Sequence, residues 1–432
     1  MRMRWKANRP ALPREYISPF ERRQQILARW QVVGGYLLVT ALIVAAVVGI
    51  GHAVMTNSRP SYGVTPTPES AQKGARPAGY YSALSRSYLA QGDPASAMRE
   101  AEAAVQADPS NLDSLISLAA LNFSQGNKRE AWALLDRAAK LAPQAAEPLL
   151  VRATFLSKSG QGREAETTLI KAVTLVPSDP RPRAALAGIY ENTNRLPEAA
   201  DQYRAALQLD DTDVENHQKY GSLLSRKGDA AGAAGQVKIL ASRFPQSGAA
   251  ELLQALMALD RNNEGEALAF AKKAVAINAR LLPAYHIIGT IQGKHKQNAD
   301  AQKTYAAAMN LGIPDAATYN DFAWFCALTG KELDQAAKVA ELARAMSPDN
   351  PVVLDTLGWV YFRQGNYERA LPLLKDAVRA KGTTPSRKYH YGMALAKPNR
   401  PGGAGLLREA VAADPGAEWI ADAKAELARG PL

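Results

Sequence analysis

Residues 351–377 read PVVLDTLGWVYFRQGNYERALPLLKDA. Leu354, Leu357, Gly358 and Tyr361 recur at helical spacing in the first half, and Ala370, Leu374 and Ala377 do so in the second. Gly365-Asn366 separates the halves, and glycine takes the backbone conformations that a reversal between two helices demands. The stretch predicts a helical hairpin. Ala370 and Ala377 let its helices cross closely, while Leu357 and Tyr361 fill the gap to a neighbouring unit. Pro348 blocks continuation of the helix before it.

Working outward, the hairpin recurs. Align on the segment A-x-x-x-D-P that ends at Pro109, and equivalent markers fall at Pro143, Pro177, Asp211, Pro245, Ala279, Ile313, Pro348, Gly382 and Pro415. The interval is 34 residues six times, then 35, 34 and 33. Twelve residues before each marker stands a small side chain: Ala97, Ala131, Ala165, Ala199, Ala233, Ala267, Ala301, Ala336, Ala370 and Gly403. Five residues before it, alanine recurs in nine of ten units, with Leu240 the exception. Turns equivalent to Gly365-Asn366 appear at Gly92-Asp93-Pro94, Gly126-Asn127, Gly160-Gln161 and Gly228-Asp229. A fixed period of this length marks an array of stacked supersecondary units.

These residues resemble the tetratricopeptide repeat (TPR) family. Leu354, Leu357, Gly358, Tyr361, Ala370, Leu374 and Ala377 match its pattern best, and Tyr81, Leu84, Tyr88, Ala97, Ala104 and Pro109 fit nearly as well. The resemblance implies an all-α solenoid of about ten helix-turn-helix repeats over residues 78–415, closed by an amphipathic capping helix within 416–432. Arg152, Glu251 and Gln254 stand where the pattern wants apolar side chains, in the third and sixth repeats. Tyr319–Leu374 further resembles segments of bacterial envelope proteins linked to exopolysaccharide export and to pilus or secretion assembly.

The amino terminus has a different character. Of 432 residues with a net charge of +11, residues 1–29 hold eight basic side chains against Glu15 and Glu21 alone. The remainder is nearly balanced, so a phosphate-binding stripe along the body is not expected. Val32–Met55 carries no formal charge. As a helix its 24 residues would extend about 36 Å, enough to cross a hydrocarbon core. The run is longer than a signal-peptide core and lacks a good cleavage site, so residues 30–55 are expected to be an uncleaved signal anchor. The positive-inside rule then leaves 1–29 in the cytoplasm and exports the array, which in a Gram-negative bacterium means the periplasmic face of the inner membrane. Ala41, Ala45, Gly49 and Ala53 form a small-residue ridge of the kind that packs against another span. Residues 56–77, rich in Pro, Ser, Thr and Gly, are expected to be a flexible linker.

Chemistry is sparse. The five histidines are scattered, and no H-E-x-x-H, G-x-S-x-G, P-loop or C-x-x-C is present. One cysteine, Cys326, excludes an internal disulfide and reads as a buried small hydrophobe. No catalytic residue, cofactor or metal is expected, and no nucleic-acid partner. The resemblance implies that the fifth and ninth positions of each repeat face a concave groove. In the first seven repeats these are mostly small or aliphatic; the last three supply Asn320, Trp324, Asp355, Trp359, Tyr389 and Met393. Aromatic anchors beside oriented polar groups suit a protein-binding site. The expected function is a membrane-anchored scaffold or adaptor that binds partner proteins in the bacterial envelope and supports assembly of an export, pilus or polysaccharide system. The alternative is a structural subunit integrated into a large membrane complex through its span.

Overall fold

The computed structural model describes residues 76–90, 93–311, 315–398 and 400–429. The basic tail, the expected span at 30–55 with its Ala41, Ala45, Gly49 and Ala53 ridge, and most of the expected linker lie outside them. Among the described residues no helix is long and apolar enough to cross a membrane.

The described residues form twenty-one helices and no strand. They pair as α1 (Ala78–Ala90) with α2 (Pro94–Ala107), α3 (Leu112–Ser124) with α4 (Lys128–Leu141), and α5 (Glu147–Lys158) with α6 (Gly162–Leu175). Then come α7 (Pro180–Asn192) with α8 (Leu196–Leu209), α9 (Val214–Arg226) with α10 (Ala230–Arg243), and α11 (Ala249–Asp260) with α12 (Glu264–Ile277). The last four pairs are α13 (Leu282–Lys294) with α14 (Asn298–Met309), α15 (Ala316–Thr329) with α16 (Leu333–Met346), α17 (Pro351–Arg363) with α18 (Tyr367–Arg379), and α19 (Pro385–Ala396) with α20 (Gly403–Ala413). The short α21 (Ile420–Leu427) follows.

Local chemistry starts and stops each helix. Side-chain oxygens of Asn111, Asp179, Asp213, Asp315, Asn350 and Thr384 accept from the first-turn N–H groups of α3, α7, α9, α15, α17 and α19. Second helices end alike: the N–H groups of Asp108, Ala142, Val176, Asp210 and Asn278 donate to the carbonyls of Ala104, Ala138, Ala172, Ala206 and Ala274 at 2.9–3.1 Å. Between the two helices of a repeat the chain passes through a left-handed residue, Gly126 (φ 83°), Gly160 (78°), Gly228 (82°), Gly330 (70°) or Gly365 (76°). Repeats four, six and seven place Asn194, Asn262 and Lys296 there instead, with φ 57–61°.

The small side chains sit where the helices cross. All nine alanines twelve residues before the markers are 0% exposed, as are the nine five residues before them and Leu240. Gly358 shows the same constraint in a first helix, since a Cβ there would meet Leu374 Cγ at 2.6 Å. The third and sixth repeats are complete hairpins. Arg152 turns to the second repeat, pairing with Asp136 and lying 5.4 Å over the Trp132 ring. Direct contacts that skip a helix run from α1 to α3, α3 to α5, α5 to α7, α9 to α11, α11 to α13, α15 to α17 and α17 to α19. First helices thus form one wall of the stack. Ion pairs one repeat apart, such as Arg181–Glu147 (2.6 Å), Arg195–Glu166 (2.7 Å) and Arg243–Asp211 (2.9 Å), stitch neighbours at the surface.

Candidate protein-binding face

The wall formed by α15, α17 and α19 carries the residues singled out from the sequence. Asp355 and Trp359 lie one turn apart on α17, and Tyr389 and Met393 one turn apart on α19. The structure gathers most of them around His390, which lies on the same helix as Tyr389 and Met393. Its ring is 2% exposed and stacks on Trp359 with centroids 4.3 Å apart; Trp324 stands 5.7 Å away on its other flank. His390 Nδ1 lies 2.9 and 3.0 Å from the two carboxylate oxygens of Asp355. An ionised carboxylate only accepts, so Nδ1 carries the proton and donates. Beyond it, Trp359 stacks on Phe362 (4.5 Å) and Tyr389 on Trp419 (4.6 Å).

Four of the six candidate groove residues are buried. Trp359, Tyr389 and Met393 do not line an open groove: they are 6%, 3% and 6% exposed and belong to the continuous core of the last repeats. Rings at successive repeats are long enough to bridge the gap between first helices, so they stack on each other instead of standing in solvent. Burial also pushes the Tyr389 phenol above its ordinary range. Asn320 is 6% exposed as well. Trp324 and Asp355 alone remain half-buried on the wall.

A second polar cluster joins α13 to α15. His286, 7% exposed, sets Nε2 3.1 Å from Thr318 Oγ1 and 3.8 Å from Asp315 Oδ1, with Nδ1 3.5 Å from Asp321 Oδ2. Thr318 Oγ1 donates to Asp315 Oδ1 at 2.7 Å, so His286 Nε2–H is the donor to Thr318. Burial opposes a charged imidazole here, but the carboxylates of Asp315 and Asp321 outweigh it and raise the pKa to about 9. The same imidazolium helps hold the Asp315 carboxyl below its usual range against the cost of burial. Asn320 Nδ2 donates to Asp321 Oδ1 at 3.2 Å, while its own Oδ1 has no partner.

Sequence reasoning did not pair His286 with Asp321 or His390 with Asp355. A signal existed: each acid–imidazole pair joins the fifth position of one repeat to the sixth position of the next, 35 residues on. His217, 4% exposed, is held by Gln236 and the Asp211 carbonyl, a packing role. Cys326 is 0% exposed and burial pushes its thiol up to about 12. Among the described residues no group of three or more His, Cys, Asp or Glu side chains is placed to hold a metal ion.

Tetratricopeptide repeat profiles match residues 88–153 and, separately, 150–214, 221–281 and 356–418. The chain belongs to the tetratricopeptide repeat family. As a TPR protein it is of the class that mediates protein–protein interaction. No curated protein matches the TPR chain in sequence. Among solved structures, a tetratricopeptide repeat protein from Parabacteroides merdae is 18% identical with a TM-score of 0.36, over 66% of this chain and 98% of that one. MamA (residue 41 to the end) from Desulfovibrio magneticus RS-1 is 24% identical with a TM-score of 0.31, over 39% and 96%. PilF from Pseudomonas aeruginosa is 19% identical with a TM-score of 0.36, over 48% and 95%.

Proposed function

We infer that the protein is a membrane-anchored TPR scaffold. Residues 30–55 span a bacterial inner membrane, 1–29 remain in the cytoplasm, and the array stands on the periplasmic side. There its first-helix wall holds partner proteins and supports assembly of an export, pilus or polysaccharide system. The observation that carries this reading is the union, in one chain, of an uncharged 24-residue apolar run behind a basic tail with a protein-binding repeat array. A phosphatase active only outside the cytoplasm, fused after residue 432 of the full chain, tests the topology. Activity is expected; an inactive fusion that accumulates stably contradicts the reading.

A second reading has one observation in its favour. The ridge of Ala41, Ala45, Gly49 and Ala53 would let the span pack against another, making the protein an integral subunit of a larger membrane complex. Replacing the span with an unrelated one separates the two. Retained partner binding and complex assembly support the scaffold, and lost assembly supports the subunit.

A further inference from the structure

The face shared by α15 and α17 is short of donors. Asn320 is buried, and its amide orientation is fixed by Asp321: turning it would set Oδ1 against the Asp321 carboxylate oxygen that Nδ2 now reaches at 3.2 Å. The group left without a partner is therefore an acceptor, and an orphan acceptor in the interior is a cost to the fold. Asp321 contacts Asn320 directly, and Asp355 occupies the position equivalent to Asn320 on the next first helix. The Asp321 side chain is 32% exposed and that of Asp355 13%. Among the described residues each carboxylate meets an imidazole, and neither pairs with a lysine or arginine. The same two helices present half-buried Trp324 with Leu328 and Val352, 37% and 39% exposed.

We propose that this face docks a segment of a partner protein that carries an arginine or lysine flanked by apolar side chains. This rests on the scaffold reading and names the chemistry of the partner. A guanidinium or ammonium supplies a donor for Asn320 Oδ1 and a second positive charge where the one His286 imidazolium is shared between Asp315 and Asp321. The indole of Trp324 adds an aromatic face for the same cation. Trp324 stands one turn beyond Asn320 on α15, and a helical side chain leans over the turn before its own, so the donor would reach Asn320 past this indole. Leu328 and Val352 receive the apolar flanks. A small inorganic cation would leave that apolar surface uncovered.

The probe is a random dodecapeptide library displayed on phage and panned against the full-length chain in detergent micelles. Selected peptides are expected to carry Arg or Lys beside Leu, Ile, Val or Phe. For a resynthesised peptide, Asp321→Asn should weaken binding by roughly tenfold or more, the size of a lost charge-assisted contact. Exchanging the peptide's basic residue for Glu should abolish binding. Asn320→Leu should weaken it too, while leaving the melting temperature unchanged or higher because an orphan group is gone. Should that variant fail to fold, Asp321→Asn carries the test. Peptides without basic residues, or binding indifferent to Asp321→Asn, would overturn the proposal and leave the scaffold reading standing. Selection of no peptide, together with no partner crosslinked from any position of the array, would remove both.

Discussion

Gly403 breaks a rule that nine other repeats obey, and the structure gives the reason. A Cβ on it would lie 2.9 Å from the Ala396 nitrogen and 2.9 Å from the Gly392 carbonyl oxygen, so α19 and α20 approach backbone to backbone. Restoring the repeat's usual residue with Gly403→Ala should therefore destabilise the last hairpin by about 1–3 kcal/mol. A lowered urea midpoint checks this; an unchanged one would mean that the two helices separate without cost. Lys296 is the opposite case. It holds a left-handed backbone (φ 61°) where five other described repeats have glycine and two have asparagine, which tolerates it better. Its ion pair with Glu418 joins two side chains each 72% exposed, which contributes little. Lys296→Gly should raise stability by about 1 kcal/mol, read from the same midpoint.

At the scale of helices, the junction between α13 and α15 should respond to pH. The His286 pKa rises on folding from 6.5 to about 9. Its contribution to stability is complete below about 6.5 and fades as pH climbs through about 9. The unfolding midpoint of the wild type should fall between about pH 7 and pH 10, and His286→Gln should flatten that fall; an equal slope in both proteins would exclude His286 as its source. On α17, Trp359→Ala removes a buried indole stacked on His390 and Phe362 and should cost about 3–5 kcal/mol. Trp324→Ala should cost less, since that ring is half-buried. The difference marks what the sequence could and could not say. Alanine at two fixed sites announced the helix crossings in all but two places, Leu240 and Gly403, because small side chains let the helices approach. Whether an indole at a ninth position meets solvent or a neighbour depends on what the next repeat places beside it. Here that is His390, whose role depends on the Asp355 carboxylate one repeat earlier.

For the array as a whole, each second helix packs on the first helix of the next repeat, so its architecture was legible from the 34-residue period alone. The binding wall was legible only in part. Trp324 and Asp355 stand half-buried on first helices, but Asn320, Trp359, Tyr389 and Met393 are buried, and the pairing of His286 with Asp321 shows in the sequence only as a 35-residue spacing. The central claim is that this TPR chain holds a partner protein against its first-helix wall at the membrane. The most direct measurement is site-specific photocrosslinking of the full chain in intact membranes. A photoreactive residue replaces Leu328 or Val352 on the wall and, as a control, Lys273 on an exposed second-helix face. The account predicts that both wall positions crosslink to the same discrete protein and Lys273 does not. Crosslinks from Lys273 alone, or from none of the three, would contradict it.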